Sequence, residues 1–422
     1  MKLYNTLTQR LEPFQPLNDR VSIYVCGITP YDTTHVGHAF TYTSVDILIR
    51  YLESLGLDVR YVQNVTDVDD DILRKSRQVG EDWKAVGDRW TRHFIEDMIY
   101  LNVRPPDYYP RATDVIAEII EAVSGLLEAG VAYEKGGNVY FEIDRWPEFG
   151  KLSHLMRPEM LPIANERGNV AEDPYKKDPL DFVLWQSQKP GEPGWPSPWG
   201  LGRPGWHIEC STMATKYLGE TVDIHGGGAD LCFPHHECEI AQVEPLTGKK
   251  PFVRYWLHTA MVSHDGEKMS KSLGNLVMIR DLLKVYTPDA LRLYLGSKHY
   301  RDPWSFDEGE LKKVSRSALQ MLKAVTAPSQ AGNGRPLEGT AAWSSFLEAM
   351  EDDINTPKAV SLMDSLTEEI LEAVSAKRPV ENAQQVLRRF AAIFGLRLDR
   401  PGPEPRVERG WKEFLEQFQA VV

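Results

Sequence analysis

The alternation of apolar and polar positions marks a repeating strand and helix order in the first part of the chain. An apolar run ends in Tyr24-Val25-Cys26 and meets the Gly/Pro-containing turn Gly27-Ile28-Thr29-Pro30. Beyond it Val45, Leu48, Ile49, Leu52 and Leu55 recur at helical spacing, and Asp58-Val59-Arg60-Tyr61-Val62-Gln63-Asn64-Val65 reads as a second strand. Strand, helix, strand in that order predicts a βαβ unit and a parallel sheet, hence an α/β fold. Val115, Ile116, Ile119, Ile120, Val123, Leu126 and Leu127 predict an amphipathic helix over 110–130, closed by Gly130.

A further strand is expected at 138–143. From there to about 204 periodicity is lost, as in an insertion between two halves of a sheet domain. That stretch ends in a Pro/Gly-rich segment whose Trp195, Trp199 and Trp206 argue for a packed loop. A strand running into Gly226-Gly227-Gly228 and another near 253–258 follow. Thr287-Pro288 caps a helix over 289–297. Beyond about 310 the pattern is helical, with a loop at 327–336, and it ends in Pro401-Gly402-Pro403-Glu404-Pro405.

Composition narrows the picture. A chain of 422 residues with 42% hydrophobic and 26% charged positions fits two or three globular domains. No signal-like start and no apolar run of about 20 residues occurs, so a cytoplasmic protein without membrane contact is expected. A formal net charge of -13 gives no footprint of a protein that coats nucleic acid, though a local basic patch stays open. The cysteines are Cys26, Cys210, Cys232 and Cys238, and in a reducing compartment they suit a metal or reactive role better than disulfides.

Candidate chemistry gathers in a few places. His35 and His38 stand at the start of the first helix, where backbone N–H groups and the helix dipole can meet a phosphate. Thr66-Asp67-Val68-Asp69-Asp70-Asp71 is either a solvated helix start or a group that orders substrate. His235 and Glu239, four apart, share one face if helical. Together with Cys26 and Cys210 they offer two thiolates, an imidazole and a carboxylate, a set Zn²⁺ accepts. Only a fold that converges strand ends could assemble it, and buried cysteines with a satisfied histidine remain the alternative at this point. Lys268 and Lys271 flank Ser270 in a polar loop. Gly248-Lys249-Lys250 lacks the glycine and hydroxyl of a Walker motif.

His35-Val36-Gly37-His38 with Lys268-Met269-Ser270-Lys271-Ser272 resembles the paired signature of class I aminoacyl-tRNA synthetases. Gly205-Trp206-His207-Ile208-Glu209-Cys210, Gly226-Gly227-Gly228-Ala229-Asp230 and Phe233-Pro234-His235-His236-Glu237 resemble the cysteine-specific branch. The match runs from about Tyr24 to Phe306, with weaker similarity at Met350-Glu351-Asp352-Asp353-Ile354-Asn355-Thr356-Pro357.

The resemblance implies a Rossmann-type catalytic domain in two halves, 1–137 and 205–265, split by a connective insertion at 138–204. A signature-loop and stem-contact-like region at 266–310, a helical domain at 311–400 and a short tail at 401–422 would follow. It further implies ATP-dependent activation of L-cysteine to cysteinyl-adenylate, with Mg²⁺ accompanying ATP. Cys26, Cys210, His235 and Glu239 would hold one zinc per chain, which binds the substrate thiolate. Serine differs from cysteine by one chalcogen, which a pocket wall discriminates poorly and a thiolate–zinc bond strongly. His35 and His38 would stabilise charge at the α-phosphate, with Lys268 and Lys271 on the pyrophosphate. Gly37, Gly227, Gly228, Asp230, Met269 and Ser270 would hold the nucleotide. Thr29, Thr66 and Trp206 would meet the cysteine, with Asp67 helping to orient it.

Two members of this family share the activation step. One charges tRNA-Cys; the other, the shortened cysteine ligase of mycothiol biosynthesis, joins cysteine to the amine of a glucosaminyl-inositol. The turn Gly27-Ile28-Thr29-Pro30-Tyr31-Asp32, Asp71 in place of the usual lysine, and a chain that stops soon after Leu398 without an anticodon-binding domain resemble the ligase. Glu239 instead completes a synthetase-like pattern. The expectation is a monomer with a small amine acceptor, and tRNA-Cys is the alternative. All signature residues are present, which argues against a catalytically dead paralogue.

Overall fold

The computed structural model describes residues 1–31, 34–269, 273–329, 334–399 and 409–418, with backbone alone for Lys268 and Arg409. Its centre is a four-stranded parallel sheet in the order Val253–Thr259, Val222–Gly228, Arg20–Ile28, Asp58–Val65. Val21, Ile23, Val25, Val59, Tyr61 and Val62 are buried, as expected of parallel strands covered on both faces. The Val36–Ser54 helix makes the crossover between Arg20–Ile28 and Asp58–Val65, so the βαβ unit is where the pattern placed it.

The sheet is drawn tight at two glycines. A methyl on Gly27 would lie 1.5 Å from the Asn64 carbonyl oxygen of the neighbouring strand, and one on Gly226 would lie 3.2 Å from Leu257 O. At Gly27 only glycine lets the strand ends approach this closely, and at Gly226 a side chain would crowd the neighbouring carbonyl. Gly27 N–H donates to Asn64 Oδ1 at 2.7 Å where the pairing register shifts between Val25 and Ile28. That shift sets Cys26 to Thr29 at the carboxyl end of the sheet, the usual place for a ligand in open α/β sheets.

The expected helix over 110–130 divides into a 3₁₀ turn, Ala112–Val115, and an α-helix, Ile116–Glu128, with Gly130 just beyond it at φ +73°. The insertion is ordered where the sequence pattern faded. It carries an antiparallel sheet of Ala132–Lys135, Asn138–Phe141, Phe182–Ser187 and Gly202–Pro204, beginning ahead of position 138, and a helix, Arg157–Glu166. The tryptophan-rich loop is packed. Trp195 exchanges backbone hydrogen bonds with Gly202 and meets the Trp83 ring edge-on at 6.4 Å, while Trp199 packs on Trp185 at 5.9 Å.

Val262–His264 joins Glu267–Lys268 and Trp304–Phe306 in a small sheet after the catalytic strands. Thr287 Oγ1 accepts from Ala290 N–H and Pro288 opens the Pro288–Gly296 helix. The helices Glu308–Thr326, Thr340–Glu351, Thr356–Ser375 and Glu381–Ile393 then pack around Phe346, Met350, Met363, Ile370 and Phe390. In the Met350–Pro357 stretch Asp353 is a hub. It accepts from Tyr4 N–H at 2.7 Å, Tyr300 O–H at 2.8 Å and Arg301 Nε at 2.6 Å, and so ties the N-terminal Lys2–Asn5 strand to the helical part.

Positions 401–408 and 419–422 of the expected tail lie outside the described residues. The part between them is a helix, Arg409–Gln417, packed on the catalytic domain. Trp411 is buried, donates from Nε1 to Val103 O at 2.7 Å and meets the Tyr109 ring at 5.8 Å; the Arg111 guanidinium stands 4.0 Å from the Phe418 ring centre. Among the described residues no helix is long and apolar enough to cross a membrane.

Candidate active site and metal centre

His35 caps the Val36–Ser54 helix with extended backbone, and its Nδ1 accepts from Gly37 N–H at 3.1 Å and His38 N–H at 3.4 Å. Because both partners are backbone donors, the neutral ring carries its proton on Nε2. The His38 ring stacks on it at 3.8 Å between centroids. Both imidazoles border a cleft of about 940 Å³, a volume suited to a nucleotide with a small second substrate.

Gly37 explains why this turn carries no side chain at its second helical position. A methyl there would sit 3.0 Å from His35 Cε1 and Nδ1. Gly37→Ala is therefore expected to displace the capping ring, weakening the helix start by about 0.5–2 kcal/mol and lowering adenylation kcat by roughly tenfold. Cysteine-dependent ATP–pyrophosphate exchange checks it; an unchanged kcat would show that His35 has room to spare.

At the sheet's carboxyl end the strands bring distant side chains together. Donor atoms of Cys26, Cys210, His235 and Glu239 all lie within 4.8 Å of one another, and all four residues are buried. Cys26 Sγ is 3.8 Å from Cys210 Sγ and 3.7 Å from Glu239 Oε1, while His235 Nε2 is 3.1 Å from Glu239 Oε1. His235 is the fourth residue of an irregular helical turn, Cys232–His236, that runs into Glu237–Thr247, so the four-residue spacing does place both groups on one face. Trp206, first in the Trp206–Leu218 helix that carries Cys210, stacks on His235 at 4.4 Å.

The donor set fits a zinc ion. Burial, with Cys210 beside it, pushes the Cys26 thiol up; burial also raises the Glu239 carboxyl and holds the His235 imidazole down. His235 Nε2 is buried with no hydrogen bond. Soft thiolates, a neutral imidazole and a carboxylate are the forms Zn²⁺ selects, with protons released on binding.

Four imidazoles that the sequence reading left unassigned stand behind this set. His207 Nδ1 is 2.9 Å from His235 Nδ1, so His235 can donate there and present the Nε2 lone pair to the cluster. His225 Nε2 is 3.0 Å from Glu239 Oε2. His236 Nε2 lies 3.3 Å from Cys26 Sγ, with His236 Nδ1 at 2.8 Å from His258 Nε2 and His258 Nδ1 at 2.8 Å from Thr6 Oγ1. Burial takes His207, His225 and His258 down to about 3, so each orients its neighbour as a neutral ring. His225 and His236 also form an overlapping set with Cys26 and Glu239. The one sequence signal for this network was the density of histidines from 207 to 258.

The other expected site residues divide. Thr29, Trp206, Gly228, Asp230 and Met269 border the cleft with Cys26, His35, Gly37 and His38. Gly227 is packed beneath it, where a methyl would come 2.8 Å from Leu231 Cδ1. Thr66 does not border the cleft, because it is buried at the strand end with its hydroxyl accepting from Asn64 Nδ2 at 3.3 Å. Asp67 is taken up by Thr113, accepting from its N–H at 3.0 Å and its hydroxyl at 2.6 Å. Asp69, Asp70 and Asp71 do border the cleft, and Asp69 caps the Asp70–Val79 helix. Ser270 and Lys271 lie outside the described residues, as does the Lys268 side chain.

Comparison with known proteins agrees with this geometry. Residues 13–316 match the family model "tRNA synthetases class I (C) catalytic domain" and residues 345–399 match "DALR domain". The chain is 44% identical over 400 residues to "Cysteine--tRNA ligase" of Dehalococcoides mccartyi, covering 94% of this chain and 87% of the relative. It is 45% identical over 415 residues to the protein of the same name from Thermococcus onnurineus, covering 94% and 86%. The fold is similar to that of Mycobacterium tuberculosis methionyl-tRNA synthetase in complex with methionyl-adenylate, at a TM-score of 0.63 and 16% identity over 89% of this chain and 88% of that one. On the catalytic-domain match and on identity that spans nearly the whole chain, this protein belongs to the class I tRNA synthetase (C) family of cysteine-activating ligases.

Proposed function

We propose that this chain joins L-cysteine to ATP, forming cysteinyl-adenylate and pyrophosphate, and then passes the cysteinyl group to the terminal adenosine of tRNA-Cys. The observation that carries it is the convergence of Cys26, Cys210, His235 and Glu239 beside the cleft bordered by His35 and His38. The relatives' name, "Cysteine--tRNA ligase", moves the acceptor from the glucosaminyl-inositol amine expected above to tRNA.

In the first step a cysteine carboxylate oxygen attacks the α-phosphorus and the bond to pyrophosphate breaks. His35, donating from Nε2, and His38 stand at the helix start, where negative charge develops on the α-phosphate. Lys268 and Lys271 take the charge of the departing pyrophosphate, and Gly37, Gly228, Asp230, Met269 and Ser270 hold the nucleotide, with Gly227 supporting them from below. Thr29 and Trp206 wall the amino acid. Zinc, when bound, would be held by Cys26, Cys210, His235 and Glu239 and would supply a borderline-soft Lewis acid for the substrate sulfur. In the second step a ribose hydroxyl of the terminal adenosine attacks the activated carbonyl and AMP leaves.

A small amine acceptor is the second reading, favoured by the Ile28-Thr29-Pro30 turn and by Asp71. Both acceptors offered side by side decide between them. Cysteinyl-tRNA with little amide product is expected; amide formation with glucosaminyl-inositol and no tRNA charging would reverse the choice. Pyrophosphate exchange as fast with serine as with cysteine would remove the metal-based selection itself.

A further inference from the structure

The insertion reaches Asp230 in the cleft through the Arg167 side chain. Arg167 closes the Arg157–Glu166 helix, and its Nη1 lies 3.0 Å from Asp230 Oδ2, with both residues bordering the cleft. On stability grounds this pair matters little. Its side chains are 26% and 29% exposed, and such pairs contribute about 0–1 kcal/mol.

Its placement is nonetheless imposed by the fold. Arg203 Nη2 grips Asp70 Oδ1 at 2.5 Å on one side of the insertion. On the other side Lys151 Nζ meets Glu244 Oε2 at 2.5 Å, and the N–H groups of Leu152 and Ser153 donate to Glu237 Oε2 at 3.0 and 2.9 Å. Arg167 is thus delivered from a platform tied to both halves of the catalytic domain. At its target the second carboxylate oxygen lies beside Gly228. A methyl on Gly228 would fall 2.5 Å from Asp230 Oδ1, so the glycine leaves the space that oxygen uses. An ionised carboxylate has about four lone-pair sites. Arg167 takes one of them, which leaves capacity for two hydroxyl donors.

We infer that Arg167 is a positioning residue for the nucleotide ribose: it aims Asp230 from the insertion, so that a segment outside the parallel sheet takes part in selecting ATP. The inference deepens the reading above and rests on Asp230 accepting from the ribose hydroxyls. It makes the insertion part of the activation step, independent of which acceptor follows.

The test compares ATP with its 2′-deoxy and 3′-deoxy analogues in cysteine-dependent pyrophosphate exchange, using the wild type, Arg167→Gln and Arg167→Lys. Wild type is expected to disfavour at least one deoxy analogue by about tenfold, the worth of a hydrogen bond to a charged group. Arg167→Gln is expected to raise KM for ATP by about the same factor. Its KM for cysteine and for that deoxy analogue should stay unchanged, so discrimination collapses. Arg167→Lys restores most of it. Calorimetric binding of ATP and the analogue gives the same ratio without turnover. Wild-type discrimination retained by Arg167→Gln would overturn the role of Arg167 and leave that of Asp230 standing. No discrimination by the wild type would overturn both.

Discussion

His235→Ala should leave purified protein with well under one zinc per chain and cut cysteine-dependent exchange by more than about a hundredfold. Removing a partner that merely orients a ligand costs about 10–100-fold in metal affinity, and the ligand itself costs more. In this cluster the loss would strip the imidazole from a set whose other members are two cysteines and a glutamate buried together. His207→Ala, which takes away the ring 2.9 Å behind His235, is expected to fall inside the 10–100-fold range. Metal analysis and exchange kinetics on the same preparations separate the two. If His235→Ala keeps its zinc while His225→Ala loses it, the metal sits in the overlapping set of Cys26, His225, His236 and Glu239, and the preferred assignment fails.

The second large effect concerns how the helical part is held to the catalytic domain. Arg292 is fully buried; it donates to Phe394 O at 2.6 Å, to Leu101 O at 2.7 Å and to the Asp46 carboxylate. Asp46 also accepts from Arg50 Nε at 2.8 Å and from Arg104 N–H at 2.7 Å. Arg292→Met would orphan two carbonyl oxygens and half-strip a buried carboxylate, at a cost of about 3–5 kcal/mol. The urea midpoint should fall accordingly, and an unchanged midpoint would show that the pair is dispensable.

A pH dependence accompanies this. Burial alone would raise the Asp46 carboxyl, but Arg50 and Arg292 beside it hold it below the ordinary carboxylate range. A depressed folded-state value contributes stability above the unfolded value of about 3.9 and loses it as pH falls through the folded one. The advantage of wild type over Arg292→Met should therefore be full at neutral pH and shrink below about pH 4. Gly395→Ala probes the same joint from the other side, because its methyl would meet Arg292 Nη2 at 2.3 Å at a backbone φ of +65°.

Elements with enough periods were legible in advance. The 19-residue Val36–Ser54 helix and the eight-residue Asp58–Val65 strand each repeat their pattern several times, and the helices beyond Glu308 do as well. Of the insertion's sheet only the strand expected at 138–143 was legible, as Asn138–Phe141; the others run to four, six and three residues, too few alternations to rise above loop composition. The Arg409–Gln417 helix was hidden behind a Pro-rich lead-in, although its Trp411 and Phe414 meet Tyr109.

For the site, local motifs carried His35, Gly37, His38 and the glycine run, because backbone geometry at a turn is decided by neighbours in sequence. Sequence by itself also nominated Cys26, Cys210, His235 and Glu239 by ligand chemistry and family resemblance. What only the tertiary structure decided is which atoms meet. His207 behind His235, His225 behind Glu239, Thr66 turned to Asn64 and Arg167 against Asp230 all depend on strands and helices that approach only when the parallel sheet closes. Periodicity records which face of an element is buried, but a contact between two elements is set by packing, and packing leaves no local pattern to read.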